Sequence, residues 1–368
     1  MSLGAAAGAP RPPPDRARRL RDPPRVALLL AAFVCAPAAP ASAQRLQGRV
    51  VSAADSAPVP AALVALLDAN GAQVVRTSTG PAGGFTLEVP SAGRYVVEVL
   101  RIGQRPWRSP ALELGPPVPR RLVIAVPDDP VVLEPVAIRA RTRCRTSPAE
   151  GSLVATLLAE ADKALTLTRL AMESGEVGYA VERYHVTRSP RLETRDSSAI
   201  IDPLPAWPIR SWPAESLAVH GFVREEAPTF TEPYGGYSFF GPDAPLLLSA
   251  WFLSTHCFGA SAGSGPDSGA ILVTFRPEGG WRADIEGRLV IDRGTLALRR
   301  IEWRFVRLPW KVPENHAGGA MVLRRLPSGV YVPESWWQRA PVPEVNRRRE
   351  PLRLYGWDER GGHIVPGP

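Results

Sequence analysis

Five histidines, three cysteines and one Gly-x-Ser-x-Gly pentapeptide are the residues in this 368-residue chain whose types could do chemistry. A zinc peptidase needs His and Glu in fixed register so that two or three ligands converge on one metal. His185, His220, His256, His316 and His363 begin no HxxE or HExxH, and no two of them lie four apart. His256-Cys257 and Glu314-x-His316 bring two donors together, each without a nearby third. Gly259-Ala260-Ser261-Ala262-Gly263 matches the serine-hydrolase pentapeptide, but that mechanism requires a strand before the serine and a helix after it. Ser264-Gly265-Pro266-Asp267-Ser268-Gly269 cannot open a regular helix, so the stretch reads as a flexible loop. Asp284 and Glu286 share a strand face and read as its wet side. No catalytic residue, metal or cofactor is assigned.

The aromatic residues offer contact instead of catalysis. Nine of the ten tryptophans follow residue 200, together with Phe239-Phe240. Trp303, Trp336, Trp337 and Trp251 are the candidate ligand-binding residues, with Trp207 and Trp212 as further members of the group. Such rings supply much contact area at low entropic cost and suit a lipid, a glycan or a peptide. The competing assignment is the core of a β-domain.

The elements that must hold these residues are mostly strands. Residues 46–103 carry turn residues every eight to twelve positions. Between them, Gly48/Val50, Ala62/Val64/Leu66, Val74/Val75, Phe85/Leu87/Val89 and Tyr95/Val97/Val99 alternate with period two, which suggests a sandwich. Leu112/Leu114 and Leu122/Ile124/Val126 extend it to about 128. Ser147-Pro148-Ala149-Glu150 is a capping box with proline at N1. Leu153/Val154, Leu157/Leu158, Ala161 and Ala164/Leu165 then make one apolar helical face to about 172, predicted to pack on a sheet formed by the later strands. From 177 onward strands return, at 177–186, 217–223, 270–275, 320–326, 330–338 and 353–357. The clearest pair is the hairpin from Asp284 to Phe305. The 246–253 run is apolar but too short to span a bilayer, so it is a buried element or a surface anchor. The fold class is mainly β: an N-terminal sandwich, one linking α-helix and a C-terminal antiparallel sheet.

The first part resembles a known family. Gly48-x-Val50, Pro58-Val59-Pro60-Ala61-Ala62-Leu63-Val64, Thr77 through Gly83-x-Phe85-x-Leu87, Gly93-x-Tyr95-x-Val97-x-Val99 and Ile102-Gly103 are similar to the carboxypeptidase regulatory-like domain. The resemblance implies a transthyretin-like β-sandwich over about 45–128, of the kind found in secreted and outer-membrane bacterial proteins. The family places an aspartate where Gly80 stands. The C-terminal part resembles, by pattern and without a motif, the half-barrel of periplasmic lipoprotein carriers.

The first 43 residues read as an export leader: six arginines, a short apolar run at 26–34, and Ala41-Ser42-Ala43 before Gln44. The domain plan is therefore a leader (signal peptide) at 1–43, a sandwich at 45–128, a linker at 129–146, and a helix plus antiparallel β domain at 147–368. Setting aside the leader's six arginines and two aspartates reduces the net charge from +8 to +4. Without clustered basic residues on a helix, that is poor support for nucleic-acid binding, and none is expected. Arg347-Arg348-Arg349 reads as a solvated loop. Removal of Cys35 leaves Cys144 and Cys257, which an oxidising compartment would pair. The expected function is an exported, non-catalytic binding or scaffolding protein of the cell envelope, periplasmic, outer-membrane-associated or extracellular. Its expected partner is an envelope protein, a glycan or a lipid, with peripheral outer-membrane association. The alternative is a secreted, peptidase-associated hydrolase with an unrecognised active site.

Overall fold

The computed structural model describes residues 44–115, 121–133, 148–174, 179–202, 208–227, 236–344 and 353–366. The expected leader, most of the expected linker, Cys144, Ser147, Trp207 and Arg347-Arg348-Arg349 lie outside the described residues.

Eight short strands come first: β1 (Gln44–Ser52), β2 (Leu63–Leu67), β3 (Gln73–Ser78), β4 (Gly84–Val89), β5 (Gly93–Leu100), β6 (Trp107–Arg108), β7 (Leu112–Leu114) and β8 (Arg121–Val126). They form two sheets, β4-β1-β8 and β3-β2-β5-β6, with β7 paired to β5. The β1–β8 pairing is parallel, and the other pairings here are antiparallel. Alternation explains the packing: Phe85, Leu87 and Val89 face Tyr95, Val97 and Val99 across a dry core that also holds Val50, Val64 and Leu66. The turn before β4 closes without the family's aspartate. Gly80 N–H donates to Gly84 O (2.9 Å) and Gly83 N–H donates to Gly80 O (2.8 Å). Gly83 has φ +75°, and a Cβ there would collide with Val50 O, so no other residue fits this approach.

Helix α1 spans Pro148–Ser174. Leu153, Leu157, Ala161, Ala164 and Leu165 join the C-terminal core, as the three- and four-residue spacing predicts. The helix is buried on its other side too. Leu167 packs with Ala61, Leu63 and Tyr331, so β2 is covered on both faces, with a burial pattern that is continuous and not alternating. A helix buried on more than one face is one enclosed between two layers. Here the layers are the N-terminal sheet and the C-terminal one, and Ser42–Pro368 forms one compact unit.

The C-terminal sheet is a nine-stranded antiparallel array. In chain order it uses β9 (Tyr179–Arg188), β10 (Thr194–Asp202), β13 (His256–Ala262), β14 (Ala270–Pro277), β15 (Asp284–Asp292), β16 (Leu298–Val306), β17 (Gly318–Arg325), β18 (Tyr331–Pro343) and β19 (Leu354–Pro366). The spatial order is β10-β9-β19-β18-β17-β16-β15-β14-β13, with its strands separate from those of residues 44–126. The 284–305 hairpin forms in the expected place. Asp292 Oδ1 fixes its turn by accepting from Gly294 N (3.0 Å), Thr295 N (2.9 Å) and Thr295 Oγ1 (3.0 Å).

Three local findings add to or correct the expectations. The first is an addition: three short helices join the expected α1, namely α2 (Ala214–His220), α3 (Ala244–Leu247) and α4 (Ala250–Thr255). The second is the strand at 217–223, most of which is helical. Pro213 opens α2, and Gly221, at φ +76°, closes it by donating to Leu217 O (2.7 Å). Strand pairing begins only at β11 (Val223–Glu226), which pairs with β12 (Gly236–Phe239). In the 246–253 run, Asp243 caps α3 and Ser249 caps α4, each accepting from the amide three residues on. Leu246, Leu247 and Phe252 are buried there, while Leu253 stays exposed. The third is a correction: the expected loop at 259–262 lies in β13. Gly259 stands opposite Thr274 and Ser261 opposite Leu272, because the β14 edge supplies a ladder that small residues would not form alone.

Candidate functional site

Residue alternation along β18 decides which aromatic rings meet. Trp336 and Gln338 point to one face, and Trp337 and Arg339 to the other. On the Trp336 side, β9, β18 and β19 form one wall of a groove of about 1420 Å³, and the 208–210 segment and β12 form the opposite wall. The groove mixes rings and guanidiniums. Arg183 sits 5.9 Å from the Trp336 ring centre. Across from it, Arg210 lies 5.3 Å from the Phe240 ring centre and donates to Ser238 Oγ (3.2 Å). Tyr237 and Phe239 add apolar surface from β12.

Two polar features give the groove direction. Gln338 Nε2 donates to Phe239 O (3.2 Å), while its Oε1 is buried with no partner among the described residues. At the rim His185 Nε2 lies 2.6 Å from Asp358 Oδ1, and Arg360 donates to the other oxygen of the same carboxylate (3.1 Å). Arg183 pairs with Asp202 at 3.2 Å. On the opposite face, with Trp337 and Arg339, burial raises the Tyr184 hydroxyl above its ordinary pKa and Glu359 adds to the shift. Rings and guanidiniums on facing walls are groups that can hold a ligand by apolar contact and by charged hydrogen bonds.

The four candidate tryptophans do not share this groove. Trp336 lines it. Trp303 is buried at 4% exposure in the core, where its Nε1 has no partner among the described residues. Trp337 is on the opposite face beneath Arg339, 5.2 Å away. Trp251 lies on α4, 6.4 Å from Phe222. Arg183 and Arg210 escape the sequence reading because an arginine in an arginine-rich chain carries no signal of its own. Register with Trp336 is what singles out Arg183.

His256, Ser261, Glu286 and His316 take structural places, while His185 stands at the groove rim and His363 lies 3.5 Å from Glu182. His256 is sealed, its ring stacked 3.7 Å from Phe252. Its Nδ1 is 3.2 Å from Phe252 O and its Nε2 is 3.2 Å from Asp284 Oδ1. Ser261 lies five residues further along the same strand, roughly 16 Å at about 3.3 Å per residue, so no triad assembles on this His–Asp pair. Glu286 pairs with Arg304 across the hairpin. His316 packs near Trp357 (5.8 Å). Among the described residues, no group of three or more His, Cys, Asp or Glu is placed to hold a metal. Cys257 is buried in β13.

No curated protein matches the chain. Among solved structures, a 9R-lipoxygenase from Cyanothece PCC8801 aligns over 74% of this chain at 10% identity and a TM-score of 0.18, and the chain spans 40% of that enzyme's length. A protein described as membrane-associated and of unknown function, from Bacteroides fragilis NCTC 9343, aligns over 88% of this chain and 95% of its own at 11% identity and a TM-score of 0.15. At such scores neither carries an argument about this fold. The family model of the carboxypeptidase regulatory-like domain matches residues 45–127. Those residues hold the two facing sheets, the closed glycine turn and the Ile102-Gly103 corner, and they form a carboxypeptidase regulatory-like domain.

Proposed function

We propose that this chain is an exported, non-catalytic binding protein of the cell envelope, and that its ligand is an amphiphile held in the groove beside Trp336. The observation that carries this reading is the pairing of guanidinium and indole, Arg183 over Trp336 at 5.9 Å, inside a groove of about 1420 Å³. An apolar chain would lie along Trp336, Tyr237 and Phe239, and an anionic or hydroxylated end would meet Arg183 and Arg210. Lipids and glycolipids of the envelope have that chemistry. The regulatory-like domain contributes a rigid platform, because α1 is packed between it and the sheet that forms the groove.

Export rests on the n-region, apolar run and small-residue site ahead of Gln44. Intact mass of protein recovered from its native compartment is expected to begin at Gln44. For the ligand, the probe is a dansylated fatty acid titrated into mature protein. Arg210 is exposed, so Arg210→Glu should leave the fold intact and weaken binding about tenfold, which corresponds to about 1.4 kcal/mol. Equal binding by the wild type and the variant would remove the groove from consideration, and no binding by the wild type would remove the lipid.

A further inference from the structure

One end of the large sheet gathers three exposed apolar side chains from three separate segments. Trp281 is 80% exposed in the turn between β14 and β15, Val219 is 58% exposed near the end of α2, and Leu253 is 40% exposed near the end of α4. Backbone bonds hold these segments side by side. Glu278 N donates to Thr255 O (3.0 Å), tying the turn to α4, and Phe222 N donates to Ala283 O (2.9 Å), tying it to the chain leaving α2. The turn is not a loose loop. Arg307 donates to Gly279 O and, at 3.4 Å, to Pro277 O, clamping it from the β16 side.

Cations surround this apolar tip. Arg282 lies 4.8 Å from the Trp281 ring centre. Arg307 sits under the turn, and Lys311, which is exposed, follows in the next connection at the same end of the sheet. Among the described residues none of these three forms an ion pair, and Glu278 is the one carboxylate in the turn. The chain has two lysines, Lys163 and Lys311. Lys163 is buried, so the one exposed lysine stands at this end of the sheet.

We propose that this tip is a membrane-interface contact: Trp281 inserts at headgroup depth, and Arg282, Arg307 and Lys311 face anionic lipid headgroups. An indole with a cation beside it suits the boundary between acyl chains and headgroups, where one side of the ring is apolar and the other wet. Three apolar side chains are too few for a dry protein interface, but they suffice for shallow insertion when cations add attraction to an anionic surface. The tip is separate from the groove, so either can fail without the other.

The test is co-sedimentation of the mature protein with sucrose-loaded vesicles, either phosphatidylethanolamine with phosphatidylglycerol or phosphatidylcholine alone. Wild type should bind the phosphatidylglycerol vesicles and release at about 1 M salt, where the Debye length is about 3 Å. Trp281→Ser should lower the partition coefficient about tenfold, and Trp281→Phe should restore part of it. Arg282→Gln with Lys311→Gln should lower it roughly fivefold or more. Thermal midpoints confirm that each variant is folded. No binding by folded wild type, or equal binding by Trp281→Ser, would overturn the proposal, as would equal, salt-insensitive binding to both vesicle types.

Discussion

Lys163 Nζ lies 2.6 Å from Glu160 Oε1 on α1, with the two side chains only 6% and 3% exposed. The same ammonium donates to Arg101 O and Gln104 O, both at 2.9 Å, and Glu160 Oε2 accepts from Gly103 N at 2.7 Å. All three lysine donors are therefore used, and the β5–β6 turn of the regulatory-like domain is fastened to the helix. Lys163→Met leaves Glu160 charged, buried and without its cation, and is expected to destabilise the protein by about 3–5 kcal/mol. Glu160→Gln should cost less, because two carbonyls and an amide oxygen remain for the lysine. Urea unfolding of both variants checks the order.

Gly103 is the second point on which this junction depends. Its φ is +74°, and a Cβ there would lie 2.6 Å from Thr295 O in the β15–β16 turn. Gly103→Ala is expected to cost about 1–3 kcal/mol, from backbone strain and displacement of that turn together. Gly71→Ala, also at positive φ but with open space around it, should cost less. Thermal melting of the pair separates the steric part from the conformational part.

Acid should weaken the outer face of the sheet. Burial pushes the Glu359 carboxyl up, but hydrogen bonds from Arg188 and Arg339 outweigh that and hold it below the ordinary value of 4.5. A depressed carboxylate contributes stability above its unfolded value, and that contribution is lost as pH falls through the folded one. Glu359→Gln should therefore flatten the stability profile below about pH 4.5. Tyr179 acts at the other end, with burial raising it to about 12 from 10.0. Stability should fall as pH rises from 10 towards 12, and Tyr179→Phe should remove that fall. Denaturant midpoints across pH check both.

A Cys144–Cys257 disulfide is expected in protein taken from an oxidising compartment. It would close a loop of roughly a hundred residues, for which chain entropy gives about 4–5 kcal/mol as an upper figure. Peptide mapping without reduction should recover the crosslinked pair, and two free thiols would rule it out.

Much of the fold was legible because alternation is a strong signal where one face is dry. Phe85/Leu87/Val89, Tyr95/Val97/Val99 and the Ile285/Leu289/Ile291 strand all lie where period two puts them. The reading failed where packing overrode local preference. Leu217 and Phe222 sit in an apolar pattern that fits a strand, yet Pro213 and Gly221 bracket a helix. The glycine and alanine of β13 favour no strand until β14 supplies one. The groove was less legible still, because four tryptophans identify a chemistry without a location, and only the register of β18 separates Trp336 from Trp337.

The parallel β1–β8 pairing has a bearing on maturation. β1 begins at Gln44, which pairs with Val89, and the same strand is held by β8 on its other edge from Gln47 onward. A leader peptidase must hold several residues around the bond in an extended, unpaired form. If the cut falls just before Gln44, the residues that follow the bond are ones this three-stranded sheet incorporates. Cleavage then has to precede closure of the sheet, and a chain that folds first would keep its leader.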